Sequence, residues 1–193
     1  RASCHTHRRH DSQRWGFRSA WTEVVLESLA GVEAGGGTAL NDQLYLSLKL
    51  TERRLGRRVV ILLSDGIDSH SAVTMRDVAW VARRSRSMVY WIRTGDGNKR
   101  KSRYSAWKSP DDYRRETVLL ERLVAESGGR VMPLERIEDA ESILREIVQE
   151  LKGQLVLGYY PSAVRKDGSW HKVGVRAKNA GVGVRARPGY LDF

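Results

Sequence analysis

Val59-Val60-Ile61-Leu62-Leu63-Ser64-Asp65-Gly66 is the stretch on which the reading of this chain turns. Its apolar residues run without interruption and stop abruptly at Ser-Asp-Gly. A strand with one wet face would alternate, whereas a continuous run marks a strand buried on both faces of a parallel sheet. Asp65 therefore stands just past the carboxyl end of that strand, the edge at which open α/β sheets bind ligands. Upstream lies Gly35-Gly36-Gly37-Thr38-Ala39-Leu40-Asn41-Asp42, a glycine run that flows into a helix. Thr38 falls at the N-cap position, and Asp42 falls in the first turn, where a carboxylate suits the helix dipole. A hydroxyl and a carboxylate brought together at that edge are hard oxygen ligands, suited to magnesium or a similar cation.

Working outward, Leu40, Leu44, Leu48 and Leu55 form one helical stripe before the strand, ending in Arg53, Arg54, Arg57 and Arg58. After the Asp65 loop, Met75, Val78, Ala79 and Ala82 form another, and residues 88–92 read as a second buried strand. Helix and strand alternating at this spacing imply crossover connections and a parallel sheet. Leu119, Leu120, Leu123 and Val124 predict a helix ended by Gly128-Gly129. A short strand is expected over 130–134, near a sheet edge because of Pro133. Ala140, Ile143, Leu144, Ile147, Val148 and Leu151 make the cleanest helical stripe in the chain. The period then changes, and residues 154–160, 169–175 and 182–186 read as three short strands. Asp167-x-Ser169-x-His171 falls in a connection and reads as turn chemistry.

The 193 residues suffice for one domain with a core and a small extension. The division expected is a basic leader over 1–18, an α/β domain over 19–152 and a β extension over 153–193. Trp21, Val25, Leu29 and Val32 give the α/β domain an opening helix. Cys4, His5, His7 and His10 in the leader lack zinc-type spacing and read as a solvated tail. A lone cysteine leaves no internal disulfide to form. No run reaches the length of a membrane span, and the leader has no apolar signal-peptide core. The net charge of +11 permits association with anionic polymers without establishing it. Residues 31–38 imitate a phosphate-binding glycine loop, but Gly37 stands where its lysine belongs and the segment follows a helix rather than a strand.

GGGTAL followed by a helix and VVILLSDGIDS resembles the second half of a von Willebrand factor A domain, and more narrowly the bacterial VWFA-related proteins. QLVLGYYP, DGSWHKVGVRA and VRARPGYLDF resemble the β extension that follows that domain, so the likeness spans about residues 20–193. It implies a Rossmann-like, three-layer α/β fold with helices on both faces of a parallel sheet and a small antiparallel extension. It also implies a protein–protein interaction module with a metal-ion-dependent adhesion site, whose bound cation takes a carboxylate from a protein partner. Thr38 matches that site's threonine and Asp65 its last aspartate, with Asp42, Ser64 and Asp68 as candidates to hold those ligands or their waters in place. A secreted or periplasmic location goes with the family.

The chain departs from the pattern at the D-x-S-x-S loop, which is not found. Only polar, basic residues precede the first helix, so the later half of the sheet is expected without the earlier half. The expectation is an incomplete site that holds Mg2+ or Mn2+ weakly, at about millimolar. The strand at Val59 would present an unpaired edge, which predicts poor solubility or self-association. Two other classes compete. A metal-dependent hydrolase would use Asp65 and Asp68 as ligands, although no G-x-S-x-G or H-E-x-x-H signature accompanies them. A non-specific nucleic-acid binder would use Lys99, Arg100, Lys101 and Arg103 beside Tyr104 and Trp107.

Overall fold

The computed structural model describes residues 37–95, 108–161, 166–179 and 181–192. The expected leader, the helix stripe at 21–32 and the basic cluster at 99–103 lie outside the described residues. Two units divide the chain: Gly37–Gly153 with Ser162–Phe193, and Arg1–Gly36 with Gln154–Pro161. The described elements of the first are α1 (Leu40–Glu52), β1 (Arg58–Ser64), α2 (Met75–Arg84), β2 (Ser87–Thr94), α3 (Pro110–Glu126), β3 (Val131–Leu134), α4 (Ala140–Gly153), β4 (Trp170–Lys172) and β5 (Gly189–Leu191), with a 3-10 turn at Ile137–Asp139. Of the second, the described residues 154–161 take neither helix nor strand.

β1, β2 and β3 form a parallel sheet in that order. Ile61 lies opposite Tyr90, and Arg93 lies opposite Pro133. Because a strand sends alternate side chains to opposite faces, the sheet builds two cores. On one face Val89 and Trp91 of β2, with Val60 and Leu62 of β1, meet Leu40, Leu44 and Leu48 of α1, Met75, Val78, Val81 and Ala82 of α2, and Leu120, Leu123 and Val124 of α3. On the other, Tyr90, Ile92, Met132 and Leu134 meet Ile147 of α4, with Ala140, Ile143 and Leu151 beside it. The result is an α/β arrangement with helices on both faces.

Two of the helices stop their own ends. Thr74 Oγ1 accepts from Asp77 N while Asp77 Oδ2 accepts from Thr74 N, a reciprocal cap for α2. Ser109 and Asp112 repeat it for α3, with Pro110 at the first helical position, where its missing N–H costs nothing. The helix α1 has no such device: Ala39 is its N-cap, and no side chain of its own caps it. Thr38 is therefore not the cap that its sequence position suggested. Nor does the Leu55 stripe hold, because α1 ends at Glu52 and Leu55 is exposed.

The β extension is reached differently from expectation. β4 and β5 pair antiparallel, with Trp170 opposite Leu191 and Lys172 opposite Gly189. Residues 154–160 and 182–186 are not strands. β-propensity reflects a fit to a pleated, paired surface, and neither run has a ladder partner among the described residues. In place of a ladder, Arg185 Nε donates to Gly128 O, and just beyond the run Arg187 donates to Ala82, Arg83 and Ser85 O. Arg187 thus holds the extension against the carboxyl end of α2, where unpaired carbonyls and the helix dipole favour a cation. Burial, and then repulsion from Arg86, holds its pKa below the usual arginine value.

Candidate functional site at the carboxyl edge of the sheet

The chain leaves β1 at Ser64 and turns at once. Ser64 Oγ accepts from Gly66 N at 3.1 Å, and Asp65 Oδ1 accepts from Ile67 N at 3.1 Å, an Asx-type turn. Gly66 sits at φ 83°, a left-handed conformation that a side chain would strain, and a Cβ there would stand 2.5 Å from the Trp91 ring. Trp91 Nε1 donates to Ser64 O at 2.9 Å, which fixes the end of the strand from beneath.

The loop then folds onto the start of α1. Thr38 O accepts from Ser69 N at 2.9 Å and from His70 N at 3.1 Å, and Thr38 N donates to Ser69 Oγ at 3.0 Å. Gly37 lies so close to His70 that a Cβ would stand 1.7 Å from the imidazole Nδ1. The N–H groups that α1 leaves open are closed by this loop: Asp68 Oδ1 accepts from Asn41 N at 3.2 Å, and Ser71 Oγ accepts from Asp42 N at 3.1 Å. Asp42 answers in the other direction, taking Ala72 N at 3.1 Å on Oδ2 and Val73 N at 2.8 Å on Oδ1. The glycine–threonine loop and the aspartate loop are thus bonded to each other at the sheet's edge, as the sequence pattern requires.

Asp68, which the sequence offered only as a supporting residue or as a ligand in the hydrolase alternative, is the centre of this arrangement. Its residue is 2% exposed. Besides Asn41 N, it accepts from Ser71 Oγ and from the Lys108 ammonium, 2.8 Å from Oδ2. Lys108 Nζ also donates to Asp68 O at 3.2 Å and to Glu116 Oε2 of α3 at 2.9 Å. Burial pushes the Asp68 carboxyl up, but the bonds from Lys108, Ser71 and Asn41 and the Lys108 charge outweigh it and leave the pKa below the ordinary aspartate value. Burial likewise pulls Lys108 down, and Asp68 and Glu116 more than reverse it. Lys108 was missed because nothing in its own segment marks it. The only nearby signal is the Ser109–Asp112 cap, which fixes the start of α3 one residue later.

These commitments decide what the edge can hold. Asp42 and Asp68 have both oxygens engaged by protein donors, and the Asp68 charge is neutralised by Lys108. Ser64 Oγ is turned to Gly66 N. Asp65 Oδ1 is likewise held by Ile67 N. Among the described residues no three His, Cys, Asp or Glu side chains gather at metal-binding spacing.

A second cluster lies in the extension. Ser169 Oγ is 3.1 Å from His171 Nε2, and Asp192 Oδ2 is 3.6 Å from the same nitrogen. A nucleophilic triad needs serine and carboxylate on opposite ring nitrogens, so this is not one. Asp167 Oδ1 accepts from Ser169 N at 2.8 Å, the turn bond expected, and His171 stacks on Tyr190. Comparison with protein families, with characterised proteins and with solved structures finds no match to this chain. Among the described residues no helix is long and apolar enough to cross a membrane.

Proposed function

We propose that this chain is the later part of a von Willebrand A-type protein-interaction module whose metal-ion-dependent adhesion site is incomplete. The observation that carries the reading is the bonding of the Thr38 loop to the loop that Asp65 opens, at the carboxyl ends of a parallel sheet. Two of the three loops that such a site requires are then side by side. In this reading Thr38 and Asp65 take part in holding Mg2+ or Mn2+, and the remaining ligands come from outside the described residues. The partner is a protein that offers a carboxylate, and a secreted or periplasmic setting accompanies the proposal.

The hydrolase alternative is weaker, because it asks Asp65 and Asp68 to share a metal, and Asp68 already pairs with Lys108 and accepts from Ser71 Oγ and the Asn41 amide of α1. A nucleic-acid role would rest on Lys99, Arg100, Lys101 and Arg103, which lie outside the described residues.

The test is calorimetric titration of the full chain with Mn2+, alone and with a synthetic strand ending in D-x-S-x-S. The chain alone should bind at about millimolar or weaker, and the added strand should tighten binding at least tenfold. Asp65→Ala should remove that gain. Micromolar binding by the chain alone, or a gain indifferent to Asp65→Ala, would overturn the reading.

A further inference from the structure

In a parallel sheet every strand starts at one edge, and the helices that return the chain to that edge end there. At this amino edge the chain passes from α1 to β1 through Arg53-Arg54-Leu55-Gly56-Arg57, all of them exposed. Arg54 N donates to Thr51 O at 3.0 Å, and Gly56 reverses the chain at φ 84°, with open space where a Cβ would stand. Leu55 is left at the tip, 97% exposed, and Leu50, one turn earlier on the outward side of α1, is 67% exposed.

Around that turn the cations outnumber the carboxylates. Arg58 opens β1 opposite Ser87, which sets Arg86 next to Arg57 at the strand entrances. A bond from Arg57 to Leu151 O brings Lys152 to the same edge. The carboxylates that end the helices are already met by other cations: Glu52 by Lys49, Glu126 by Arg83 and Arg122, and Glu150 by Arg130 and Arg185. Among the described residues none of Arg53, Arg54, Arg57, Arg58, Arg86 and Lys152 has a carboxylate partner. Cations at helix ends are ordinarily explained by the carbonyls there, which accounts for Arg57 on Leu151 O and Arg58 on Arg54 O. A neutral carbonyl leaves even those two charges unmatched. The side chains of Arg53, Arg54, Arg86 and Lys152 bond nothing among the described residues.

We propose that this edge is a docking surface for an anionic lipid bilayer, with the arginines on the headgroup phosphates and Leu55 passing between them to the acyl boundary. The proposal goes beyond the interaction-module reading and does not rest on it. Charge alone would suit a nucleic acid as well, and two features select the bilayer. A protruding turn fits a broad, deformable surface, whereas single-stranded nucleic acid is held in a groove and stacked on aromatic rings, neither of which this turn offers. An exposed leucine gains nothing against a phosphate backbone but leaves water when it enters a bilayer. The seven residues of β1 separate this edge from Thr38 and Asp65 by roughly 20 Å, so a docked bilayer leaves the carboxyl edge uncovered.

The test is sedimentation of the full chain with vesicles of phosphatidylcholine alone, and of phosphatidylcholine and phosphatidylglycerol in equal parts. The chain should bind only the anionic vesicles, and more weakly as salt rises. Arg53→Ala combined with Arg54→Ala should weaken binding about twenty-five-fold, at about fivefold for each cation. The circular dichroism spectrum should stay unchanged, since neither side chain holds a contact, and lysine at both positions should retain binding. Arg114→Ala combined with Arg115→Ala removes the same charge near the start of α3, more than a Debye length from the docked edge, and should weaken binding no more than about twofold. Leu55→Ser should weaken it about tenfold with the salt dependence kept. A bimane probe on Leu55→Cys, with Cys4→Ser removing the other thiol, should shift to shorter wavelength on anionic vesicles. Equal losses from the two arginine pairs would mean that net charge alone draws the chain to the vesicle, and would overturn the proposal. So would equal binding to neutral vesicles, or a Leu55 probe unmoved by anionic ones. Duplex DNA bound through Arg53 and Arg54, with vesicles left unbound, would assign the edge to nucleic acid instead.

Discussion

The two faces of the sheet receive the same strands and are finished unequally. One is covered by three helices and closes around Trp91, Leu44, Leu48, Val78 and Leu120, all fully buried. The other is covered by α4 and buries Tyr90, Ile92, Met132, Leu134 and Ile147, leaving Ile61 and Leu63 in the open. A continuous apolar run is commonly taken to mean burial on both faces. Here the run is real, but none of its residues is fully buried: Val59, Val60 and Leu62 are half-buried, and Ile61 and Leu63, on the face covered by one helix, are exposed. The difference shows that apolar sequence demands cover without providing it.

Deleting the same number of atoms on each face sharpens the contrast. Leu48→Ala should cost about 4 kcal/mol in denaturant unfolding, near the top of the range for such cavities, because three packed helices cannot collapse into the gap. Ile147→Ala should cost about 2 kcal/mol, since the single covering helix can settle. Equal losses would mean that the thin face is as tightly packed as the thick one.

Between these values lies the polar edge. Lys108→Met removes one partner of a pair whose carboxylate is buried, and it should cost about 2 to 3 kcal/mol, the low end for a broken buried pair because Lys108 is itself part-exposed. Asp68→Asn should cost less in the Lys108→Met background than in the native chain, and simple additivity would show that the two do not act together.

The pH dependence of this pair has two limits of opposite sign. The folded Asp68 pKa is depressed, so its contribution is present above the unfolded value near 4 and is lost as pH falls through the folded one. The folded Lys108 pKa is raised, so its contribution is present below the unfolded value near 10.4 and is lost as pH rises through the folded one. Unfolding measured from pH 2 to 11 should show a plateau between those limits, with an acid limb that flattens in Lys108→Met. Glu126, whose pKa burial raises but Arg83 and Arg122 lower further, adds to the acid limb and should survive that substitution. The smallest effect belongs to the open strip: Leu63→Thr should change the stability of the monomer by no more than about 0.5 kcal/mol.

Much of the framework was legible beforehand. The stripe Met75, Val78, Ala82 and the stripe Leu120, Leu123, Val124 face the core because a 3.6-residue period leaves no other face apolar. The parallel sheet followed from strands separated by helices, and Pro133 marked an outer strand because it lacks the N–H that an inner one needs. The three strands expected in the extension were legible only as propensity. The middle one is present, shortened to Trp170–Lys172, and pairing gave it Gly189–Leu191 as its partner instead of either of the other two runs.

At the site, the sequence alone determined which residues reach the sheet edge, because strand and helix ends put them there: Thr38 before α1, Ser64 at the end of β1, and Asp65 and Asp68 just after it. Only the tertiary structure decided what they do. Asp68 accepts from the Asn41 amide in the first turn of α1, 27 residues earlier, and pairs with a lysine 40 residues later. Local periodicity carries no information about such partners. A buried carboxylate is tolerable only if its charge and its lone pairs are met, and the groups that meet them are brought together by the packing of three separate elements, not by their order in the chain.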